Sequence, residues 1–196
     1  MFTAKERKVL RFLMTSFSYK SINDIARECK LAPNGAYKIL KKLEKFDIAY
    51  FEEIGRIKAY KINYSTKLTF SYLEIALTDE RINETKIKIR IKDLDEIKKI
   101  SQVAIIFGSY ITDEKNPKDI DLLFVFEKDK FRIYKKKLDE IRNIIPYKLH
   151  DIVQTPEDLI SNLKNQDKLI LNIIRNGIIL WGQENIVRSI KNAQIR

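Results

Sequence analysis

The sequence contains a single cysteine, Cys29, and a single histidine, His150, among its 196 residues. One cysteine cannot form a disulfide within the chain, and one cysteine with one histidine cannot build a Cys/His zinc site. A Ser-His-Asp triad would have to use His150. No apolar run approaches the roughly 18 residues that a membrane-spanning helix needs. We therefore expect a cytoplasmic protein with no membrane partner, in which Cys29 is an inert core residue.

Glycine and proline are scarce, with five and four residues, and no tract of either interrupts the chain. Disordered chains often contain such tracts, so a disordered tail protein is excluded. The apolar fraction of 44% is typical of a globular chain. A length of 196 residues suffices for one large domain or two small ones, each with its own core.

Positive charge is abundant and unevenly distributed. The net charge is +11, and residues 1–65 carry +7 of it, with ten lysines, four arginines and seven acidic residues. A compact basic region beside a nearly balanced one indicates that the first region meets a polyanion. The alternative is a lysine-rich surface that serves only solubility.

Helix signals follow one another closely in the first region. Apolar residues recur at helical spacing over residues 3–17, with Thr3 placed to cap the start. Ser21 opens a second helix, in which Asp24 completes a capping box. Pro33 begins a third helix, predicted over residues 33–46, because proline is well tolerated in a first turn.

Two β-prone runs then flank Gly55 within residues 49–63 and predict a hairpin with a basic tip. Three helices followed by a basic hairpin resemble the winged helix-turn-helix family. Most members have glycine where this chain has Asp47, which tolerates a left-handed helix end better than most residues. The resemblance implies that double-stranded DNA is the partner, with contacts from the third helix and the hairpin: Asn34, Tyr37, Lys38, Lys41, Arg56 and Lys58. The alternative is a module for protein docking or dimerisation.

Residues 66–91 carry little functional signal and are predicted to form a helical connector. Beyond them, residues 103–107 predict a short buried strand, which ends at Gly108 and Ser109. Glycine allows a ligand to approach the backbone closely, and a helix start after the strand would favour an anion such as phosphate. A polar loop leads to Asp119 and Asp121, which open a second apolar strand. Residues two apart on a strand share a face, so this pair is suited to hold Mg²⁺ against a triphosphate.

This Gly-Ser turn, the Asp-Ile-Asp motif and the strand after it resemble the DNA polymerase β nucleotidyltransferase superfamily, in particular its minimal branch. The resemblance implies that Asp119 and Asp121 bind two Mg²⁺ ions and that a third carboxylate comes from a neighbouring strand, where the sequence offers Asp151. It implies that Gly108 and Ser109 contact the phosphates of a nucleoside triphosphate (NTP), with ATP the expected NTP.

The sequence departs from the family pattern before the Asp-Ile-Asp motif, where serine is common and Lys118 stands here. Lys118 either helps to hold phosphate or marks a relaxed site. His150 is predicted to point to the opposite strand face from Asp151, which disfavours a joint role of the two, and to be a core or interface residue rather than a general base. Trp181, in the short apolar strand that ends the resemblance, is predicted to be a core residue.

The two resemblances together predict an α+β fold class. The domains would be a winged helix-turn-helix over residues 1–65, the connector over 66–91, and a small mixed-sheet nucleotidyltransferase domain flanked by helices over 92–196. The implied reaction transfers a nucleoside monophosphate from an NTP to an unknown acceptor: a protein hydroxyl, an RNA 3′ end or a small molecule.

The minimal branch often acts in toxin and antitoxin systems, which makes a protein acceptor one expectation. The alternatives are a transcription regulator whose second domain only binds nucleotide or dimerises, and an interaction protein without either activity. A homodimer is compatible with each of these interpretations.

Overall fold

The computed structural model of the chain describes residues 2–112 and 117–194, which fall into two compact units. The first unit is Met1–Leu77 and the second is Thr78–Arg196. The expected connector over residues 66–91 is not a separate element, because its first helix belongs to the first unit and its second helix to the second unit. The boundary therefore lies between two helices that the sequence pattern had grouped together.

Residues 2–77, the described part of the first unit, form four helices and three strands. These are α1 (Ala4–Met14), β1 (Lys20–Ser21), α2 (Ile22–Cys29), α3 (Pro33–Lys45), β2 (Ala49–Ile54), β3 (Ile57–Ile62) and α4 (Lys67–Leu77).

Local side-chain chemistry sets the helix starts, as predicted. Thr3 and Glu6 form a capping box at α1, and Ser21 and Asp24 form one at α2, so the first backbone N–H groups of both helices are paired. Pro33 occupies the first turn of α3. The hairpin of β2 and β3 turns at Gly55, whose φ is 64°, and β1 pairs with β3 to complete an antiparallel sheet in the order β1-β3-β2.

Asp47 adopts a left-handed conformation with a φ of 55°. The α4 helix ends on a buried arginine: Arg11 donates from Nε to the Ala76 carbonyl at 2.8 Å and from Nη2 to the Leu77 carbonyl at 2.7 Å. These bonds pair carbonyl groups that a helix end leaves without partners. Arg11 thereby ties α1 to the end of α4.

In the second unit, the described residues 78–112 and 117–194 form a four-stranded sheet flanked by helices. Its elements are α5 (Thr85–Asp93), α6 (Asp95–Lys98), β4 (Val103–Phe107), β5 (Asp119–Val125), α7 (Phe131–Arg142), β6 (Lys148–Gln154), α8 (Pro156–Lys164), α9 (Lys168–Asn176), β7 (Ile178–Trp181) and α10 (Gln183–Gln194), with short 3₁₀ segments at Glu80–Asn83, Ser109–Ile111 and Lys128–Lys130.

The sheet is mixed, as predicted, and runs in the order β6-β5-β4-β7. Strand β4 is antiparallel to both β5 and β7, whereas β5 and β6 are parallel. Alternate residues of β5, Ile120, Leu122 and Phe124, belong to a buried core that includes Tyr134 of α7 and Trp181 of β7. The side chains between them point to the other face of the sheet. Trp181 is buried, so its predicted core position is confirmed.

None of the helices found in residues 2–112 and 117–194 is both long enough and apolar enough to span a bilayer.

Candidate functional site

The turn after β4 lies directly against the start of β5. Gly108 has a φ of 74° and a ψ of −155°, a backbone conformation that is essentially restricted to glycine. A Cβ at this position would stand 2.0 Å from Asp121 Oδ2. The antiparallel register pairs Phe107 with Asp121 and so brings the turn to this carboxylate. Glycine is therefore required here both by the backbone and by the close approach of the Asp121 side chain.

Asp119 and Asp121 lie at the leading end of β5, two residues apart and on the same face. Their side chains are 36% and 27% exposed, so solvent reaches both carboxylates. Two like charges placed side by side repel each other unless a cation compensates them. This arrangement at the mouth of the strand is the one that the sequence predicted for the pair.

Strand β6 brings His150 to the same two carboxylates. The parallel register pairs Asp121 with His150 and Leu122 with Asp151. His150 Nδ1 lies 3.4 Å from Asp121 Oδ1 and 3.7 Å from Asp119 Oδ2. His150 points to the opposite strand face from Asp151, as predicted, but this is the face of the two carboxylates, which the sequence did not indicate.

Asp151 lies on the opposite face of the sheet, so the expected convergence of three carboxylates is not found. Tyr134 of α7 donates its hydroxyl hydrogen to Asp151 Oδ2 at 2.7 Å, and Arg142 Nη2 donates to Oδ1 at 2.9 Å. Tyr134 is buried, and burial together with the hydrogen bond to Asp151 raises the pKa of its hydroxyl. Asp151 is kept from the site because the parallel register places it beside Leu122, on the core-facing side of the sheet.

Two other predicted residues flank the carboxylates. Ser109 begins a single turn of 3₁₀ helix rather than the α-helix start that the sequence suggested, so no helix dipole supports an anion at this turn. Lys118 is exposed just before β5 and forms no ion pair with any described residue. Within residues 2–112 and 117–194, no three Asp, Glu, His or Cys side chains are grouped so that they can hold a metal ion.

In the first unit, α3 and the hairpin bring several of the predicted DNA-contacting residues to one surface. Lys41 Nζ of α3 lies 5.9 Å from the ring centroid of Tyr37 and 5.7 Å from that of Phe51 in β2. Lys58 Nζ of β3 lies 4.1 Å from the Phe51 centroid. These cation–π contacts join the helix and the hairpin into one basic and aromatic surface.

Lys41 also forms an ion pair with Glu44 at 2.7 Å, which raises the pKa of the lysine. A phosphate that binds there must compete with this carboxylate. Asn34 and Lys38 are exposed on α3, and Arg56 is exposed at the tip of the hairpin.

Sequence reasoning missed one residue in each region. It missed Phe51, although a position diagonal to Lys58 in a hairpin indicates contact between the two side chains. It assigned Asp151 rather than His150 to the site, although Leu149 and Val153 share the face of Asp151 and signal that this face belongs to the core.

Comparison with known families assigns the second unit. A family model described as polymerase beta, nucleotidyltransferase matches residues 85–186, which is just over half of the chain. No curated protein and no solved structure matches the sequence. The matched residues include the Gly-Ser turn, both carboxylates at the start of β5, and strand β6. The chain therefore belongs to the polymerase beta nucleotidyltransferase family.

Proposed function

We propose that the second unit binds an NTP as its Mg²⁺ complex and transfers the nucleoside monophosphate to an acceptor hydroxyl. One observation carries the proposal: the Gly108 turn stands against Asp121, so the place where a backbone can approach phosphate adjoins the carboxylates that can hold a cation. Nucleotidyltransferase domains in general use an NTP and a divalent metal ion.

The residues present fit one divalent ion. Mg²⁺ in nucleotide sites is typically held by one or two carboxylates together with the phosphates of the substrate, and Asp119 and Asp121 supply such a pair. The Asp121 carboxylate takes the space that a Cβ would need at Gly108, so the bare backbone of the turn lies directly beside the carboxylate pair. When bound, the ion would neutralise charge on the phosphates and on the leaving group.

The chain's own residues would then bind and orient the substrate. The Gly108 and Ser109 backbone would lie along the β and γ phosphates, and Lys118 would add a positive charge at the edge of the site. In the transfer, the acceptor oxygen forms a bond to the α-phosphorus, the bond from that phosphorus to the bridging oxygen breaks, and pyrophosphate leaves. The hydroxyl proton passes to water. Positioning and charge neutralisation supply most of the rate in phosphoryl chemistry of this kind.

Transfer can be tested with two labels on ATP. The full chain, Mg²⁺ and a cell extract should attach the α-phosphate label, but not the γ-phosphate label, to a macromolecule or small molecule. Asp119→Asn and Asp121→Asn should abolish the labelling. Labelling that persists in both variants would refute the assigned site, and attachment of the γ label would indicate a kinase instead.

We also propose that the first unit binds double-stranded DNA as a winged helix, with α3 toward the major groove and the hairpin along the backbone. The arrangement of three helices with a β1-β3-β2 sheet supports this interpretation, as does the basic and aromatic surface that Lys41, Lys58, Tyr37 and Phe51 form. Lysine contacts to phosphate release counterions, so binding should weaken steeply as salt rises.

The matched test compares two double variants that lose the same charge. Lys38→Ala with Lys41→Ala should weaken binding to duplex DNA and flatten its dependence on salt. Lys5→Ala with Lys8→Ala, on α1, should leave both unchanged. Equal weakening by the two pairs would show that only net charge matters and would contradict a defined interface.

A second candidate is a DNA-binding regulator whose second unit binds nucleotide without transferring it. The observation that favours it is the engagement of Asp151 with Tyr134 and Arg142 on the far face of the sheet, which leaves two carboxylates at the site. This candidate predicts tight binding of an ATP analogue, no transfer of the α label to any acceptor, and a DNA affinity that changes with nucleotide.

A further inference from the structure

Strand β6 lies next to the two site carboxylates, and the role assigned to it below rests on the proposed binding of an NTP. In the parallel pair of β5 and β6, residues in register share a face. Asp119 pairs with Lys148 and Asp121 pairs with His150, so the side chains that β6 presents beside the site are a lysine and the chain's only histidine. Neither of them is a carboxylate.

The imidazole is already in contact distance of both carboxylates. Its Nδ1 lies 3.4 Å from Asp121 and 3.7 Å from Asp119, and its side chain is 46% exposed. His150 therefore occupies the space on the β6 side of the carboxylates from which a further oxygen ligand would act.

Asp151 cannot take that place without breaking other contacts. Both of its oxygens are engaged, one by the buried Tyr134 hydroxyl and one by Arg142. To reach the site, it would have to exchange faces with His150, and a one-residue shift of β6 would also move the buried Leu149 out of the core.

Two-ion nucleotidyl transfer places two divalent ions roughly 3.5–4 Å apart, and each of them needs its own oxygen ligands in addition to any that the ions share. Mg²⁺ prefers carboxylate, carbonyl and water oxygens, whereas imidazole nitrogen suits other metals. In the described residues, Asp119 and Asp121 have no third carboxylate beside them. The donor set is thus adequate for one ion with a nucleotide and deficient for two.

We propose that this site binds one divalent ion with its nucleotide, and that His150 holds the strand position from which a carboxylate would bind a second ion. The consequence for the transfer is that no second ion deprotonates the acceptor hydroxyl. The acceptor side of the site is then formed by protein side chains, with His150 at its edge.

Counting bound ions tests the proposal without any measurement of activity. The full chain is mixed with α,β-methylene-ATP, which cannot undergo transfer, and titrated with Mn²⁺ while the free ion is followed by electron paramagnetic resonance. One Mn²⁺ per chain at saturation supports the proposal, and two per chain overturn it. If the analogue itself does not bind, the proposed function fails instead, which is a separate result.

Two substitutions of His150 test the role of this strand position. His150→Asp places a carboxylate opposite Asp121 and should raise the count to two Mn²⁺ per chain. His150→Asn has a similar size without the charge and should leave the count at one. A folded His150→Asp protein that still binds one ion would overturn the assignment of this position. If the variant does not fold, the count for the unaltered chain still decides the main claim.

Discussion

Gly108 is the residue on which the geometry of the site depends most directly. Gly108→Ala places a methyl group 2.0 Å from Asp121 Oδ2 in a backbone conformation that disfavours any side chain. Strain of this kind costs about 1–3 kcal/mol of stability. Asp121 must also move, so the affinity for an ATP analogue with Mg²⁺ should fall by about tenfold or more. Chemical denaturation and calorimetric titration measure the two effects.

Gly35 provides the matched control for this substitution. It lies within α3, and a Cβ there would have no atom within 4 Å. Gly35→Ala should raise stability by up to about 0.5–1 kcal/mol, because alanine loses less backbone freedom than glycine when it becomes helical. Analogue affinity should not change. Equal losses of affinity in both variants would show that the effect at Gly108 is not local.

Substitution of Asp151 should affect stability and leave nucleotide affinity unchanged. Asp151→Ala removes the acceptor of the buried Tyr134 hydroxyl and should cost about 1–3 kcal/mol of unfolding free energy. Because Asp151 faces away from the carboxylates of the site, the affinity for the ATP analogue should stay the same. Asp151→Asn, which keeps one oxygen acceptor, should lose less stability than the alanine variant. A large loss of affinity for the analogue with little loss of stability would instead show that Asp151 belongs to the site.

The contrast between Asp121 and Asp151 shows what the sequence can predict at a site. Asp119, Asp121 and the glycine turn lie close together in the sequence. Whether they come into contact depends only on local geometry and on the antiparallel pairing of β5 with β4. The face that Asp151 occupies depends on the register of two strands that are separated by α7. A shift of one residue exchanges Asp151 for His150, and no local signal other than the apolar Leu149 and Val153 indicates the outcome.

Helix starts are the elements that the sequence predicts best, because their signals are contained in four residues. The start of α8 is an example that also permits a test. Thr155 N donates to Asp158 Oδ2 at 3.0 Å, and Asp158 N donates to Thr155 Oγ1 at 3.1 Å. The hydrogen bond from the Thr155 backbone, followed by that from its side chain, lowers the pKa of Asp158.

Thr155→Ala should therefore destabilise the chain by about 1 kcal/mol, whereas Thr155→Ser should retain most of the stability. Since the hydroxyl bond helps to lower the pKa of Asp158, this pKa should rise part of the way toward its ordinary value in the alanine variant. A carboxyl with a lowered pKa stabilises the fold above its unfolded pKa, so its contribution fades as pH falls through the folded value. Equal stabilities of the serine and alanine variants would contradict the cap.

Strands and their partners are harder to predict than helix starts. Residues 85–93 alternate in a way that also suits a strand, yet they form α5, because the apolar Ile87 and Ile91 share a helical stripe that packs on the core. The position of β6 beside β5 follows from the crossover through α7, which a mixed sheet requires for its parallel pair. The sequence thus predicts whether most segments are helices or strands, whereas the assignment of these segments to the two units requires the tertiary contacts.

Tyrosine hydroxyls that are buried in both units link the stability of the chain to alkaline pH. Burial raises the pKa of Tyr60 and Tyr64 in the first unit, and the Glu44 carboxylate adds to the effect at Tyr60. Burial with the Asp151 contact raises the pKa of Tyr134 in the second unit. The hydroxyls of Tyr60 and Tyr64 are buried without a hydrogen-bond partner among the described residues. Each of these tyrosines must therefore keep its proton for the native packing to persist.

The sign of the pH effect follows from proton binding. A tyrosine whose pKa is raised in the folded state keeps its proton at a pH where the unfolded chain, with a pKa near 10, has lost it. Its stabilising contribution is complete below about pH 10 and decreases above it, by about 1.4 kcal/mol for each pH unit and each tyrosine. The contribution of these tyrosines to the unfolding free energy should therefore be constant up to about pH 10 and then fall steeply.

Tyr60→Phe isolates one tyrosine from the others. The Tyr60 hydroxyl lies near the Glu44 carboxylate but makes no hydrogen bond of normal geometry within the described residues, so the variant should have nearly unchanged stability at neutral pH. Above about pH 10, its unfolding free energy should fall less steeply than that of the original chain, by about 1.4 kcal/mol per pH unit. Urea denaturation at several pH values between neutrality and strong alkali measures both slopes. If the two proteins lose stability in parallel, the Tyr60 hydroxyl ionises in the folded state as readily as in the unfolded chain, and its burial does not hold the proton.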